Sequence, residues 1–210
     1  MQLSLQDLGL IDYQTAYDFQ KVTVQKVIEG GPATLILCEH PPVFTLGRIA
    51  KEENFLIQRS DIERAGATIH RIDRGGEVTY HGPGQLVAYP ILDLNYFGKD
   101  LKLYMGKLEQ VAIDLLQYFD IVANRFSGRT GVFCGDKKIA SIGIGVRRWV
   151  SFHGLAVNVA TDLKFFSMIK PCGLDVQMTS MNQELGRTVE FKEIKEKFIE
   201  CFCANFNLKY

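Results

Sequence analysis

Arg74-Gly75-Gly76-Glu77-Val78-Thr79-Tyr80-His81-Gly82-Pro83-Gly84 is flanked by two strand-like runs, Thr68 to Ile72 before it and Gln85 to Leu94 after it. Both runs have the length and residue types of strands, while the segment between them is too rich in glycine to be regular throughout. A glycine-rich connection lets backbone approach a ligand closely, because no side chain projects from its Cα atoms. The stretch therefore predicts a sheet with a ligand-contacting loop between two of its strands.

Working outward, Tyr13, Ala16, Tyr17, Val24, Val27 and Ile28 follow helical spacing, with Asp12 placed to cap and Gly30-Gly31-Pro32 to stop the helix. Ala33 to Cys38 reads as a buried strand ending at His40-Pro41-Pro42, after which a loop is expected. Ser60-Asp61-Ile62-Glu63 has capping-box form, with Gly66 closing a short helix. The clearest helical stripe lies between Asp100 and Phe119. Gly131 to Cys134 and Lys138 to Val146 form a predicted hairpin about Gly135-Asp136-Lys137, with Lys138 opening the second strand. Leu155 to Val159 adds a strand, and Val189 to Phe202 an amphipathic helix that carries Cys201 and Cys203 on different faces. No repeat or linker divides the chain, so the expectation is an α/β (α+β) fold in one domain over residues 1–210, a mixed β-sheet flanked by helices.

Composition narrows the function classes. Basic and acidic side chains balance at 24 each, so no global field draws the chain to nucleic acid or an anionic membrane. No apolar run reaches the roughly 20 residues of a membrane span, and the N-terminus has no export-signal pattern. Cytoplasmic residence is expected. The 5 cysteines are odd in number and lack paired metal spacing, which suits free thiols in a reducing compartment and no metal site. Walker-type and Gly-x-Gly-x-x-Gly motifs are absent.

Among residues able to do chemistry, Cys172 lies in Lys170-Pro171-Cys172-Gly173, where proline fixes the entry and glycine frees the backbone after the thiol. From local sequence alone it reads first as a small buried hydrophobe. A nucleophilic thiol needs a cation or base beside it, and Lys138 is a candidate, although it also fits an exposed hairpin lysine. His81 and His153 each precede glycine and fit a satisfied structural histidine at least as well as one that polarises a carbonyl, bonds a thiolate or lines a pocket; His40 and His70 carry weaker cases and are assigned nothing catalytic. Arg71, Arg74, Arg147 and Arg148 are grouped as a basic rim for an acidic partner.

Taken together, several ordered blocks resemble the lipoyl(octanoyl) transferases: Glu39-His40-Pro41-Pro42-Val43-Phe44-Thr45-Leu46-Gly47, the segment from Arg74 to Pro90, Lys138-Ile139-Ala140-Ser141-Ile142-Gly143, His153-Gly154-Leu155-Ala156-Val157-Asn158, and Pro171-Cys172-Gly173. The resemblance implies the catalytic-domain fold of biotin and lipoate protein ligases. It also implies transfer of an octanoyl group from octanoyl-acyl carrier protein to a lysine of lipoyl domains, those of 2-oxoacid dehydrogenase E2 subunits and the glycine cleavage H protein, without cofactor. The family's nucleophile falls on Cys172 and its pKa-lowering lysine on Lys138. Its acyl-binding positions fall on Arg74, Gly75, Gly76, Glu77, Val78, Thr79, Tyr80 and His81, on Ser141, Ile142 and Gly143, and on Gly154, Leu155 and Ala156.

Two other functions fit parts of the pattern. An ATP-dependent lipoate-protein ligase is expected to carry a longer glycine-rich motif after paired arginines, whereas Asp73 precedes Arg74 and only two glycines follow. A non-catalytic acyl- or carrier-binding module would have no use for the pairing of Cys172 with Lys138.

Overall fold

The computed structural model describes residues 2–170 and 176–210. A 7-stranded mixed sheet has the order β1 (Leu3–Leu10), β2 (Ala33–Glu39), β6 (Gln85–Ile91), β10 (Val150–Asn158), β9 (Lys137–Arg147), β8 (Arg129–Cys134), β7 (Asn124–Phe126). A second sheet of 3 strands has the order β4 (Thr68–Arg71), β3 (Val43–Leu46), β5 (Val78–His81). Among the described strands, β1 pairs with β2 and β3 with β4 in parallel.

The central strands are apolar on both faces, and the period of two along each strand sorts their side chains. In β2, Leu35 and Leu37 join the core under helices α3 (Leu101–Tyr118) and α5 (Phe191–Phe206), where Leu108, Val111, Phe198 and Phe202 are fully buried. Ile36 and Cys38 point the other way, toward Val24 and Val27 of α1 (Tyr13–Ile28). Each such side chain contributes about 1.5–3 kcal/mol by leaving water. One face thus carries two helices. The other carries α1 and the small sheet, which has its own core of Phe44, Ile62, Tyr80, Phe165 and Phe166.

Helix α1 starts where its cap predicts, the Asp12 carboxylate accepting from the Thr15 N–H at 2.9 Å. The short helix α2 (Arg59–Arg64) exists, but Gln58 precedes it and Ser60 sits inside its first turn, so the expected capping box does not form. Gly66, with φ +80°, does close it. Strand β3 begins immediately after His40-Pro41-Pro42, where a loop was expected, because Val43 to Leu46 find partners on both sides. The same pairing turns Val78–His81, inside the glycine-rich stretch, into β5.

Strand β10 begins at Val150, five residues before the expected Leu155. It follows β9 through a two-residue turn in which Arg148 and Trp149 both have positive φ, 50° and 64°. That backbone suits a hairpin, but neither residue is the asparagine or glycine that announces one. Strand β1 escaped the sequence reading because its register shifts between Asp7 and Leu10, which breaks the alternation. Among the described residues, no helix is long and apolar enough to cross a membrane.

Candidate active site

Where the small sheet and the start of α1 meet the large sheet, a cleft opens between them. The structure brings Arg74, Gly76, Glu77, Val78, Thr79 and His81 to one wall. Lys138, Ser141, Ile142, Gly143, Gly154, Leu155 and Ala156 lie along the other, on β9 and β10. Two predicted residues do not line it. Gly75 instead donates its N–H to the Ile144 carbonyl at 2.9 Å, pinning the connection against β9. Tyr80 points away from Thr79 and His81, its ring stacked on Phe165 at 4.7 Å.

Arg74 is not part of an exposed rim: it is buried, whereas Arg71, Arg147 and Arg148 are exposed. Its guanidinium donates to the Thr45 carbonyl at 2.7 Å, to the Thr45 hydroxyl at 3.0 Å and to the Gly75 carbonyl at 3.0 Å. Two glycines make room for it. A Cβ at Gly143 would lie 2.8 Å from Arg74 Cδ, and one at Gly47 would lie 2.1 Å from the Gly76 carbonyl oxygen and 2.9 Å from an Arg74 nitrogen.

Lys138 is the second residue of β9, one place later than expected, and its ammonium lies 5.8 Å from the Phe133 ring centre. The Lys138 N–H donates to the Gln177 carbonyl at 2.8 Å, and the Thr179 N–H donates to the Lys138 carbonyl at 2.9 Å. Cys172 lies outside the described residues, as do its neighbours 171 and 173–175. On the near side of that gap, the Lys170 N–H donates to the Asn54 carbonyl at 2.7 Å, and the Asn54 amide donates to Glu77 at 3.0 Å. The chain on one side of Cys172 is therefore tied to a cleft residue, Glu77, and on the other side to Lys138.

Buried histidines surround the cleft. His153 hydrogen-bonds Asp73 at 2.9 Å, and Tyr17 donates to the same carboxylate oxygen at 2.8 Å. The His153 bond, ahead of the Tyr17 bond, holds the Asp73 carboxyl down at about 2. Burial pushes His40 down to about 4 and His81 to about 3, and lowers His153 as well. Burial thus holds the imidazoles of His40 and His81 in the neutral form at physiological pH, each with one N–H and one lone pair.

Tyr13, Ile72, Val87, Tyr89 and His153 also line the cleft. Tyr13 and Val87 belong to apolar patterns that read as core, and nothing local distinguishes a residue facing a cleft from one facing a neighbour. His153 carried a signal, the glycine after it. The hydroxyl of Tyr13 is buried without a hydrogen-bond partner among the described residues.

Comparison with known proteins gives the chain's family and fold. The family model of the lipoyl protein ligase A/B catalytic domain matches residues 12–203. An octanoyltransferase from Cytophaga hutchinsonii is 41% identical over 97% of this chain and 92% of its own length. In fold, the chain is similar to a lipoate-protein ligase A bound with ATP, at a TM-score of 0.85 and 16% identity over 100% of this chain and 87% of that one. It is also similar to the biotin protein ligase of Aquifex aeolicus, at 0.55 and 13% over 99% and 69%. The expected biotin- and lipoate-ligase fold is thereby found, and the chain belongs to the lipoyl protein ligase A/B catalytic-domain family, among its octanoyltransferases, which are acyltransferases.

Proposed function

We propose that the protein transfers an octanoyl group from octanoyl-acyl carrier protein to a lysine of a lipoyl domain through a thioester on Cys172. The observation that carries this reading is the anchoring described above, Lys170 through Asn54 to Glu77 and Gln177–Thr179 to Lys138. The four described cysteines offer no rival nucleophile. Burial raises the thiols of Cys38 and Cys203, and pushes those of Cys134 up to about 12 and Cys201 to about 11, so all four stay protonated.

The Lys138 ammonium favours the thiolate at Cys172, which attacks the incoming thioester carbon. The bond to the carrier sulfur breaks, and the carrier leaves as a thiol with a proton from the Lys138 ammonium, which leaves that lysine neutral. The acceptor lysine then attacks as a free amine; its proton passes to neutral Lys138 as the amide forms and Cys172 leaves. Thioester exchange is nearly isoenergetic and amide formation runs downhill, so neither ATP nor a cofactor is required. Ile72, Val78, Val87, Ile142, Leu155 and Ala156 supply an apolar wall for the chain, and each buried methylene contributes about 0.8 kcal/mol to selecting its length. The lipoyl domains of 2-oxoacid dehydrogenase E2 subunits and the glycine cleavage H protein are the proposed acceptors, in the cytoplasm.

The test is intact-protein mass spectrometry after mixing the protein with octanoyl-acyl carrier protein in the absence of ATP, followed by peptide mapping. One octanoyl adduct on Cys172, discharged by apo lipoyl domain, is expected. Transfer that requires ATP and free octanoate would place the chain with the ligases, and binding unchanged in Cys172→Ser with no turnover in the wild type would make it a carrier-binding module.

A further inference from the structure

Four hydrogen bonds run in file from Lys138 to His81. The Asn158 amide donates to the Thr179 carbonyl at 3.0 Å, and the Thr179 N–H in turn donates to the Lys138 carbonyl. The Gln85 amide nitrogen lies 2.9 Å from the Asn158 side-chain oxygen and 3.2 Å from the Tyr80 carbonyl. His81 Nδ1 lies 2.7 Å from the Gln85 side-chain oxygen. Gln85, Asn158 and His81 are all buried, and Gln85 pairs directly with Asn158 across β6 and β10.

The direction of this file is forced by its two ends. Backbone carbonyls of Thr179 and Tyr80 can only accept. The Asn158 amide nitrogen must therefore face Thr179, which turns its oxygen to Gln85. The Gln85 nitrogen must face both that oxygen and Tyr80, which turns the Gln85 oxygen to His81. A carbonyl oxygen accepts, so Nδ1 of His81 must carry the proton. With its pKa lowered to about 3 by burial, and by His40, Arg74 and His153 facing it, the ring holds no second proton. Nε2 is left as a lone pair, it has no partner among the described residues, and His81 lines the cleft. The aligned donors polarise one another in the sense that makes Nε2 a better acceptor.

We infer that Gln85 and Asn158 are positioning residues that lock His81 in its Nδ1–H tautomer, so that Nε2 serves as a permanent acceptor for an N–H group of a substrate. This inference rests on the transferase reading above for the identity of the donor. An acyl chain and a thioester carry no N–H. The substrates bring that group from two sources, the attacking lysine amine and the amide-bearing arm of the carrier. A histidine locked this way cannot donate to an oxyanion, which removes carbonyl polarisation from the roles open to His81.

The first readout needs no turnover. Long-range proton–nitrogen spectra of protein labelled in its histidine rings should show His81 protonated at Nδ1 alone from about pH 5 to about pH 8, in the wild type and in Cys172→Ser. In Gln85→Met, which removes the acceptor facing Nδ1, that pattern should be lost. A wild-type His81 protonated at Nε2 overturns the inference. The second readout separates the half-reactions in His81→Phe. Loss of one hydrogen bond to the substrate should slow one of them about tenfold or more: discharge to the lipoyl domain if the donor is the lysine amine, loading if it is the carrier arm. Both half-reactions within about twofold of wild type would overturn it. A wild type that never loads would instead sink the transferase reading, while leaving the tautomer measurement intact.

Discussion

Gly131 and Lys138 occupy a space that one methyl group would fill: a Cβ on Gly131 would lie 2.5 Å from Lys138 Cε and 3.1 Å from its ammonium nitrogen. The Ala140 carbonyl oxygen stands 2.5 Å from the same point, so the backbone offers no retreat, and Gly131 has φ +125°. Gly131→Ala should therefore displace Lys138 at a stability cost of at least about 1 kcal/mol. Steady-state transfer should fall about tenfold or more, mostly in kcat, with the far-ultraviolet spectrum retained. Wild-type kcat in this variant would mean that the lysine can do its work from another position.

Lys138→Met keeps the length and apolar stem of the side chain while removing the nitrogen. A lysine acting as acid and base in both halves contributes about 10²–10⁴ in rate. Loading and discharge, measured separately by intact mass, should both fall by about that factor, with the melting temperature unchanged within a few degrees. A defect confined to one half would divide the proposed double role.

Arg74 leans on Gly143, whose absent Cβ leaves 2.8 Å to Arg74 Cδ. Gly143→Ala should push the buried guanidinium off Thr45, weakening its bonds to the carbonyl and hydroxyl there. Bonds to a charged donor are worth about 1.5–3 kcal/mol each, so a loss of about 2 kcal/mol in urea titration is expected. An unchanged midpoint would show that Arg74 relocates at no cost.

Acid should destabilise the fold early. His40 and His81 take up protons near 6.5 when unfolded but near about 4 and about 3 when folded. Between those values the unfolded chain binds more protons, so stability falls as the pH drops below about 6.5 and keeps falling to about 3. Asp73, held at about 2, adds its loss only below about 4. Thermal melts between about pH 8 and about pH 4 should be flat at the upper end and slope downward from about 6.5; a flat profile to about 4.5 would mean that the histidines are hydrated in solution.

Tyr13→Phe removes a buried hydroxyl that has no partner among the described residues. An unsatisfied buried group costs about 1–3 kcal/mol, so the variant should be more stable than the wild type by about 1 kcal/mol. A loss of stability instead would reveal a hydrogen-bonded water at that oxygen.

Much of the fold was legible because the central strands and the three long helices declare themselves by period alone. Asp12, the Leu103-to-Phe119 stripe and the Gly135-Asp136 turn each appear where chemistry places them. What was not legible depends on partners far along the chain. Val78–His81 becomes a strand because Val43–Leu46 lies beside it, and Arg148-Trp149 makes a turn without turn residues. The site shows the same division. Contiguous blocks supplied two walls of the cleft, while Tyr13 and Ile72, which lie outside every block, reach it only through folding. Arg74 was expected on a basic rim and lies inside, since nothing in a single sequence shows that Gly47 and Gly143 vacate the room it fills.

The backbone bonds that join Lys138 to Gln177 and Thr179 bear on how the protein breathes. Two amide hydrogens, those of Lys138 and Thr179, are protected by one short pairing between a hairpin strand and the chain that returns past it. They should exchange with solvent together, and no faster than β9 itself opens. Flexibility at this corner would then be inherited from the large sheet, so that heating or denaturant should extinguish turnover and sheet structure in the same step, without an earlier inactive but folded stage.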